Sequence, residues 1–391
     1  MSLYIKERRL QPLLKYPGGK ERELPYIHEF LPPKINNFYE PFLGGGAVYF
    51  SLEAEEYFVN DKSDELIDFY LNVKSKNKNF MNTLQTINYH WKNISEIMET
   101  HEIKLSNYYK EYAYHDGSEE QLTKRMDNFI TTNKQTFKQL LLDDLHVDKT
   151  DFLSLMKQTI VRKMKRMKTL EKRRGELPKE DIKDNIESAM KAAYYTQMRT
   201  IFNHLDTYGV GEGSSSAIYL FIRQMCYSSM FRYNKSGEFN VPYGGISYNK
   251  NNFDRFIKYF KSTELHKHLA KTTIENLDFY EFMHKYPPKE NDFVFVDPPY
   301  DTDFSTYAKN QFDQFDQERL ANYLIHECEG NFMLVIKNTE LIASLYPIGE
   351  KTINGEEINM YSFDKTYSVS FKNRNNRDAE HLLITNYDLG E

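Results

Sequence analysis

Asp297, Pro298, Pro299 and Tyr300 follow directly on four apolar residues, Phe293, Val294, Phe295 and Val296. An unbroken apolar run of this length reads as a strand buried on both faces, so the next four residues are delivered at the exit of a sheet. Pro298 and Pro299 have no N–H to donate and stiffen the loop, which leaves carbonyl oxygens to accept; Asp297 is a second acceptor, and Tyr300 offers a flat face. The set suits an exocyclic amino group, with acceptors for its hydrogens and a ring on which a base can stack. A proline-rich strand exit carrying a surface Asp and Tyr is the plainer alternative, and it leaves the conjunction unexplained.

A second set lies in FYEPFLGGGAVYF, where a strand ends at Glu40-Pro41-Phe42 and Gly44, Gly45 and Gly46 form the turn. Glycine lets backbone approach a ligand because no Cβ intervenes and positive φ is open to it. In VNDKS, Asp61 stands where the next strand should end, a position from which a carboxylate accepts from ribose hydroxyls. By themselves these residues fit a tight connection as well as a nucleotide site. A third set is basic and aromatic. FRYNKSGEFNVPYG follows a helical block in which Arg162, Lys163, Lys165, Arg166, Lys168, Lys172, Arg173 and Arg174 crowd one helix, with Val161, Met164, Met167 and Leu170 as its predicted apolar stripe. Arg166 and Arg173 are candidate phosphate contacts, against the alternative of a solvated charged face. No HExxH occurs, His266 and His268 read as polar surface, and no metal set is assigned.

Elements must hold these sets in place. Residues 1–75 and those from about 265 onward alternate short apolar runs with helical patterns, which predicts an α/β sheet. Residues 76 to about 215 have few Gly or Pro and read as helices; GVGEGSSS at 209–216 reads as a flexible joint, and KNRNNRDAE as an irregular stretch before a last strand in HLLITNY. The predicted division is a catalytic domain of 1–75 with 265–391 and a helical insertion and recognition domain of 76–264. The 391 residues are 40% hydrophobic and 15% aromatic with a net charge of −6, enough apolar material for a packed core and no uniformly cationic coat. Cys226 and Cys328 are too few for a disulfide framework. No signal-like apolar stretch opens the sequence and no run reaches the ~18 residues of a membrane span, so the expected setting is the cytoplasm.

In order along the chain, KYPGGK, EPFLGGG, Asn60-Asp61, FRYNKSGEFNVPYG and DPPY resemble the motifs of the Dam-type DNA adenine methyltransferases. The resemblance covers residues 10–75 and about 217–391; the block at 76–215 is longer than in compact members and carries no motif. It implies a doubly wound, Rossmann-like methyltransferase sheet with a large helical recognition insertion. It implies, too, a pocket for S-adenosylmethionine lined by Tyr16, Pro17, Lys20, Glu40, Phe42, Gly44, Gly46, Asp61 and Asp297, with Asp297, Pro298, Pro299 and Tyr300 catalytic. Tyr227, Ser228, Met230, Arg232 and Pro242 fall on the implied DNA face. The implied partners are double-stranded DNA and a cognate restriction endonuclease; no oligomeric state is implied. Members that read GATC carry Asn where this chain has Ser228, and Arg where it has Gly245, so a site other than GATC is expected. Methylation of cytosine N4 or RNA, a catalytically inactive DNA-binding relative, and a nicotinamide oxidoreductase are the rival functions; the last leaves DPPY and NVPYG unexplained.

Overall fold

The computed structural model describes residues 10–115, 117–142, 145–230, 232–299, 312–366 and 378–388. These divide into two compact units, one of residues 1–74 and 262–391, the other of residues 75–261.

The first unit is built on a seven-stranded sheet. Its strands are β1 (Phe38–Glu40), β2 (Tyr57–Asn60), β3 (Thr272–Glu275), β4 (Phe293–Val296), β5 (Asn331–Lys337), β6 (Asn359–Thr366) and β7 (Asp378–Thr385), in the order β3-β2-β1-β4-β5-β7-β6. The first five listed run parallel, and β7 is antiparallel to both β5 and β6. All four residues of β4 are buried, as an interior strand covered on both faces requires. On one face Val294, Val296, Leu334, Ile336, Leu382 and Ile384 pack with Phe282, Leu320 and Leu324 into the main core. Burying one such side chain stabilises the fold by about 1.5–3 kcal/mol. On the other face Phe38 packs on Phe293 and Tyr49. His268 is not polar surface: it is buried, its ring 4.2 Å from that of Tyr57 and 4.4 Å from that of Tyr49, because its helix turns this side inward.

Chain order places the functional edge. From β1 the chain steps outward to β2 and β3, then returns to lay β4 on the opposite side of β1. Connections therefore leave β1 and β4 in opposite directions, which opens a crevice beyond their carboxyl ends. EPFLGGG leaves β1 there, and Asp297-Pro298-Pro299 leaves β4.

In the second unit the long helices are Lys78–Tyr114, Glu119–Thr132, Lys149–Arg174, Lys179–Asn203 and Ser214–Met225. The apolar stripe of Lys149–Arg174 is Phe152, Met156, Ile160, Met164 and Met167; Val161 is half-buried and Leu170 exposed. The stripe steps mostly by four rather than three because 3.6 residues make a turn. The expected joint at 209–216 is shorter than its composition indicates, since Ser214, Ser215 and Ser216 form the first turn of a helix, behind Gly213 at φ 81°. Asp378, Ala379 and Glu380, expected as irregular, begin β7.

Candidate active site and recognition segment

At the end of β1, Glu40 is 3% exposed and accepts from the Tyr49 N–H at 3.2 Å. Burial pushes its carboxyl well above the usual carboxylate range; Asp297 is the strongest charge adding to that shift, and Lys20 opposes it. Lys20, also 3% exposed, pairs with Asp297 Oδ2 and donates to the Gly18 carbonyl at 2.9 Å. Past β2, Asp61 takes the Gly44 N–H at 2.9 Å and the Ser63 N–H at 3.0 Å, and burial raises its carboxyl in turn against those bonds. Asp61 thus ties the glycine turn of β1 to the exit of β2.

The glycines are required by conformation and by space. Gly44 has φ 48° and Gly46 φ 70°; a Cβ on Gly44 would lie 3.1 Å from the Tyr16 ring, and one on Gly46 3.0 Å from the Tyr70 hydroxyl. Tyr16 is therefore laid along the turn. Pro17 is exposed. Phe42 is half-buried, its ring centred 5.5 Å from that of Phe279 and 5.4 Å from that of Phe312. Pro298 is buried and Pro299 exposed; Tyr300 lies outside the described residues.

Two further side chains hold these segments, Asn60 of the Asn60-Asp61 motif and Gln317, which no motif singled out. Asn60, 1% exposed, donates to the carbonyls of Pro41 and Leu277 and accepts from the Leu277 N–H, joining the exits of β1, β2 and β3. Gln317, fully buried on the helix Gln314–His326, donates to the Pro299 carbonyl at 3.0 Å. The Asn60-Asp61 motif marks the position of Asn60 but not its partners; Gln317 has no local signal, because its partner is 18 residues away along the chain.

In the second unit, residues 232–244 form an irregular hairpin with a bridge Tyr233↔Phe239, and Tyr243 bridges back to Cys226. Tyr227, Ser228, Arg232 and Pro242 are exposed, and Met230 is half-buried. Ser228 and Ser229 both have left-handed backbone, φ 55° and 51°, a conformation that non-glycine residues keep only where the surroundings impose it. The Tyr248 hydroxyl, accepting from the Ser228 N–H at 3.2 Å, is one such constraint. Arg232 spends Nε on Asn240 Oδ1 at 3.0 Å, while its terminal nitrogens make no hydrogen bond among the described residues. On the helix Lys149–Arg174, Arg162, Arg166 and Arg173 are exposed and lie within about 40° of one another on the side away from the buried stripe. Lys165 and Lys168, by contrast, are used internally, on Glu119 and on the Tyr112 carbonyl.

A mostly parallel sheet with its switch point between β1 and β4, a glycine turn after β1 and an acidic set along the same edge defines a doubly wound, Rossmann-like ligand-binding fold. The family model of the D12 class N6 adenine-specific DNA methyltransferases matches residues 16–158 and 129–361, and the chain belongs to that family. It is an adenine-specific DNA methyltransferase, whose reaction requires a methyl donor and DNA. Among similar proteins, the type II methyltransferase M1.LlaDCHI of Lactococcus lactis subsp. cremoris is 23% identical over 99% of both chains. The type II methyltransferase M.MjaIII of Methanocaldococcus jannaschii is 26% identical over 66% of this chain and 84% of its own. A DNA adenine methylase of Vibrio cholerae is 26% identical over 66% of this chain and 83% of its own. Both matched ranges of the family model enter the helical block, so the likeness extends further than the sequence motifs alone indicate.

Proposed function

We propose that the carboxyl edge of β1, β2 and β4 binds S-adenosylmethionine and presents an adenine amino group to it. The observation that carries this reading is the buried Glu40 carboxyl at the switch point, on which the charges of Asp297, Lys20 and Asp61 all act, with Lys20 paired to Asp297. An acidic set of that kind fits a ligand bearing a cationic sulfonium and an ammonium, and an approaching cation would draw the raised Glu40 carboxyl back down. Asp61 uses two of the roughly four acceptor positions of a carboxylate on Gly44 and Ser63, which leaves others for ribose hydroxyls. Tyr16 and Phe42 supply apolar walls, and Gly44 and Gly46 let the backbone come close.

When bound, S-adenosylmethionine supplies an electrophilic methyl group. The protein must prepare the amino nitrogen, whose lone pair is conjugated with the ring. Asp297 and the Pro298 carbonyl each accept one amino hydrogen, so the nitrogen pyramidalises and its lone pair turns out of the ring plane. A base inside a duplex is out of reach, so the adenine leaves the stack, and Tyr300 is its stacking partner by sequence. Arg232 reads a base edge with its terminal nitrogens, Tyr227, Ser228, Met230 and Pro242 line the same DNA face, and Arg166 and Arg173 contact phosphates.

Gly245 has φ 87° and ψ −159°, a region open in practice only to glycine, so the missing side chain there is demanded by the backbone. With Ser228 also short, the methylated site is proposed to differ from GATC. The type II names of the Lactococcus and Methanocaldococcus relatives favour a modification role beside a restriction endonuclease. Transfer of tritiated methyl from S-adenosylmethionine to duplex DNA tests the chemistry. Calorimetry on Asp61→Ala tests the pocket: affinity should fall by about 1 kcal/mol or more, and an unchanged value in a folded variant removes Asp61 from it. Single-molecule sequencing from a methylation-free host tests the site. Finding every GATC methylated and nothing else would overturn the proposed specificity.

A further inference from the structure

On the helix Lys179–Asn203, Glu187, Lys191, Tyr195, Arg199 and Asn203 recur every four residues and form one polar stripe. Such a stripe is unusual on a helix face turned inward: Lys191 is 1% exposed and Tyr195 fully buried. Polar groups buried this way are costly unless each finds a partner. Nearly all of their partners lie in the segment 239–249. Lys191 pairs with Glu187 and donates to the Asn249 carbonyl. The Tyr195 hydroxyl and Arg199 Nη1 both donate to the Val241 carbonyl, at 2.8 and 3.0 Å. Asn203 both donates to the Phe239 carbonyl at 3.0 Å and accepts from the Phe239 N–H at 2.9 Å.

The gripped residues are neighbours of the candidate base readers. Val241 precedes Pro242, whose carbonyl takes the Tyr227 N–H at 2.8 Å; Asn240, between Phe239 and Val241, holds Arg232 by side chain and by backbone. Pro242 is thus one covalent step from a residue on which the stripe acts, and Tyr227 and Arg232 are two steps from one, through Pro242 and Asn240.

We propose that Lys191, Tyr195, Arg199 and Asn203 are positioning residues for sequence recognition: they set the register of the segment 239–249 and thereby aim Tyr227, Arg232 and Pro242 at the DNA. An apolar helix face of equal area would hold this segment while tolerating a slip. Donors and acceptors at fixed intervals are all satisfied in one register only, the role for which buried polar groups are best attested. Base contacts are angular and short, so a displacement of a few tenths of an ångström costs discrimination before it costs attachment.

The inference rests on the reading of 226–249 as the recognition segment, and the test separates the two. Full-length wild type and the variants Tyr195→Phe/Arg199→Met, Asn203→Leu and Arg199→Lys are expressed in a methylation-free host, their DNA is sequenced for N6-methyladenine, and their thermal midpoints are measured. Methylation of sites one base away from the wild-type motif should rise roughly tenfold relative to the motif itself in the first two variants. Arg199→Lys, which keeps a donor for Val241, should restore most of the discrimination. A stripe that serves only to stabilise the bundle would lower the midpoint and methylation at all sites together, with the motif unchanged, and that result overturns the inference. Tyr227→Ala and Arg232→Ala are sequenced alongside. If they relax the motif and the stripe variants do not, the inference alone fails; if they too leave the motif intact, the recognition reading fails and takes the inference with it.

Discussion

At the carboxyl edge of the sheet the candidate site residues are linked to one another: Lys20 pairs with Asp297, Asp297 raises Glu40, and Asp61 is tied to the backbone of Gly44. In the segment after Cys226 the candidate side chains face outward, and it is the main chain of Phe239, Val241 and Asn249 that is held. In the first region the charges of Asp297, Lys20 and Asp61 act on one buried carboxyl, Glu40, so its protonation depends on those neighbours. Held backbone with exposed side chains, as in the second, would allow candidate base readers to be exchanged while their placement is kept. A methyltransferase needs both, because its reaction is fixed and its target sequence varies.

The largest effect should come from breaking the first region. In Asp297→Ala one amino hydrogen loses its acceptor, and turnover should fall at least a thousandfold, on the order of 4 kcal/mol in the barrier, with DNA binding retained. Tritium transfer and a gel-shift titration measure the two separately; near-normal transfer would remove Asp297 from the chemistry. Next, Arg166→Glu with Arg173→Glu should weaken binding to every duplex alike and reduce the slope of log affinity against log salt by about 2. A slope identical to wild type would make both arginines solvated bystanders. Arg232→Ala is smaller still and selective, relaxing one position of the site by ~1–3 kcal/mol. Equal losses on cognate and random duplexes would reassign it to a phosphate.

The smallest effect sharpens the comparison through pH. Glu40 has a folded carboxyl raised by burial, so part of its population holds a proton at pH values where an ordinary carboxylate has none. A cationic ligand favours the ionised form, so binding S-adenosylmethionine should release up to about one proton, and affinity should climb as pH rises from the usual carboxylate range toward neutrality. Calorimetry in buffers of different ionisation enthalpy reads the proton directly. Glu40→Gln should abolish both the release and the slope; proton release that survives the substitution would point to Asp61 instead.

What the sequence revealed and what it hid follow from the range of the interactions. Phe293–Val296 and the glycines after β1 announce strand and turn because their causes are local: an apolar run, and positive φ. The order of the strands needed pairings such as Phe38 with Phe293, which no local pattern records. In the helix Lys149–Arg174, basic residues crowd every face, so the eye picks Val161 and Leu170 for an apolar stripe that in fact passes through Phe152, Met156 and Ile160. Asp61 was legible as an acceptor, whereas its hold on Gly44 was not. The stripe from Glu187 to Asn203 was written in the sequence at a plain four-residue interval, yet a polar stripe reads as solvent-facing until its partners are seen.

Synthesis order follows from the chain leaving the sheet after β2 and returning to it at β3. β1 and β2 emerge from the ribosome before residues 75–261, and β4, the partner of β1, only after them. The helical unit has all its own contacts in hand first, and its local helix pairs close quickly. Meanwhile β1 and β2 have only each other to pair with, and their outer edges await β4 and β3 on a nascent chain, the kind of exposed strand edge that chaperones attend. Speed of translation across the helical unit thus sets how long the half-made sheet stays open.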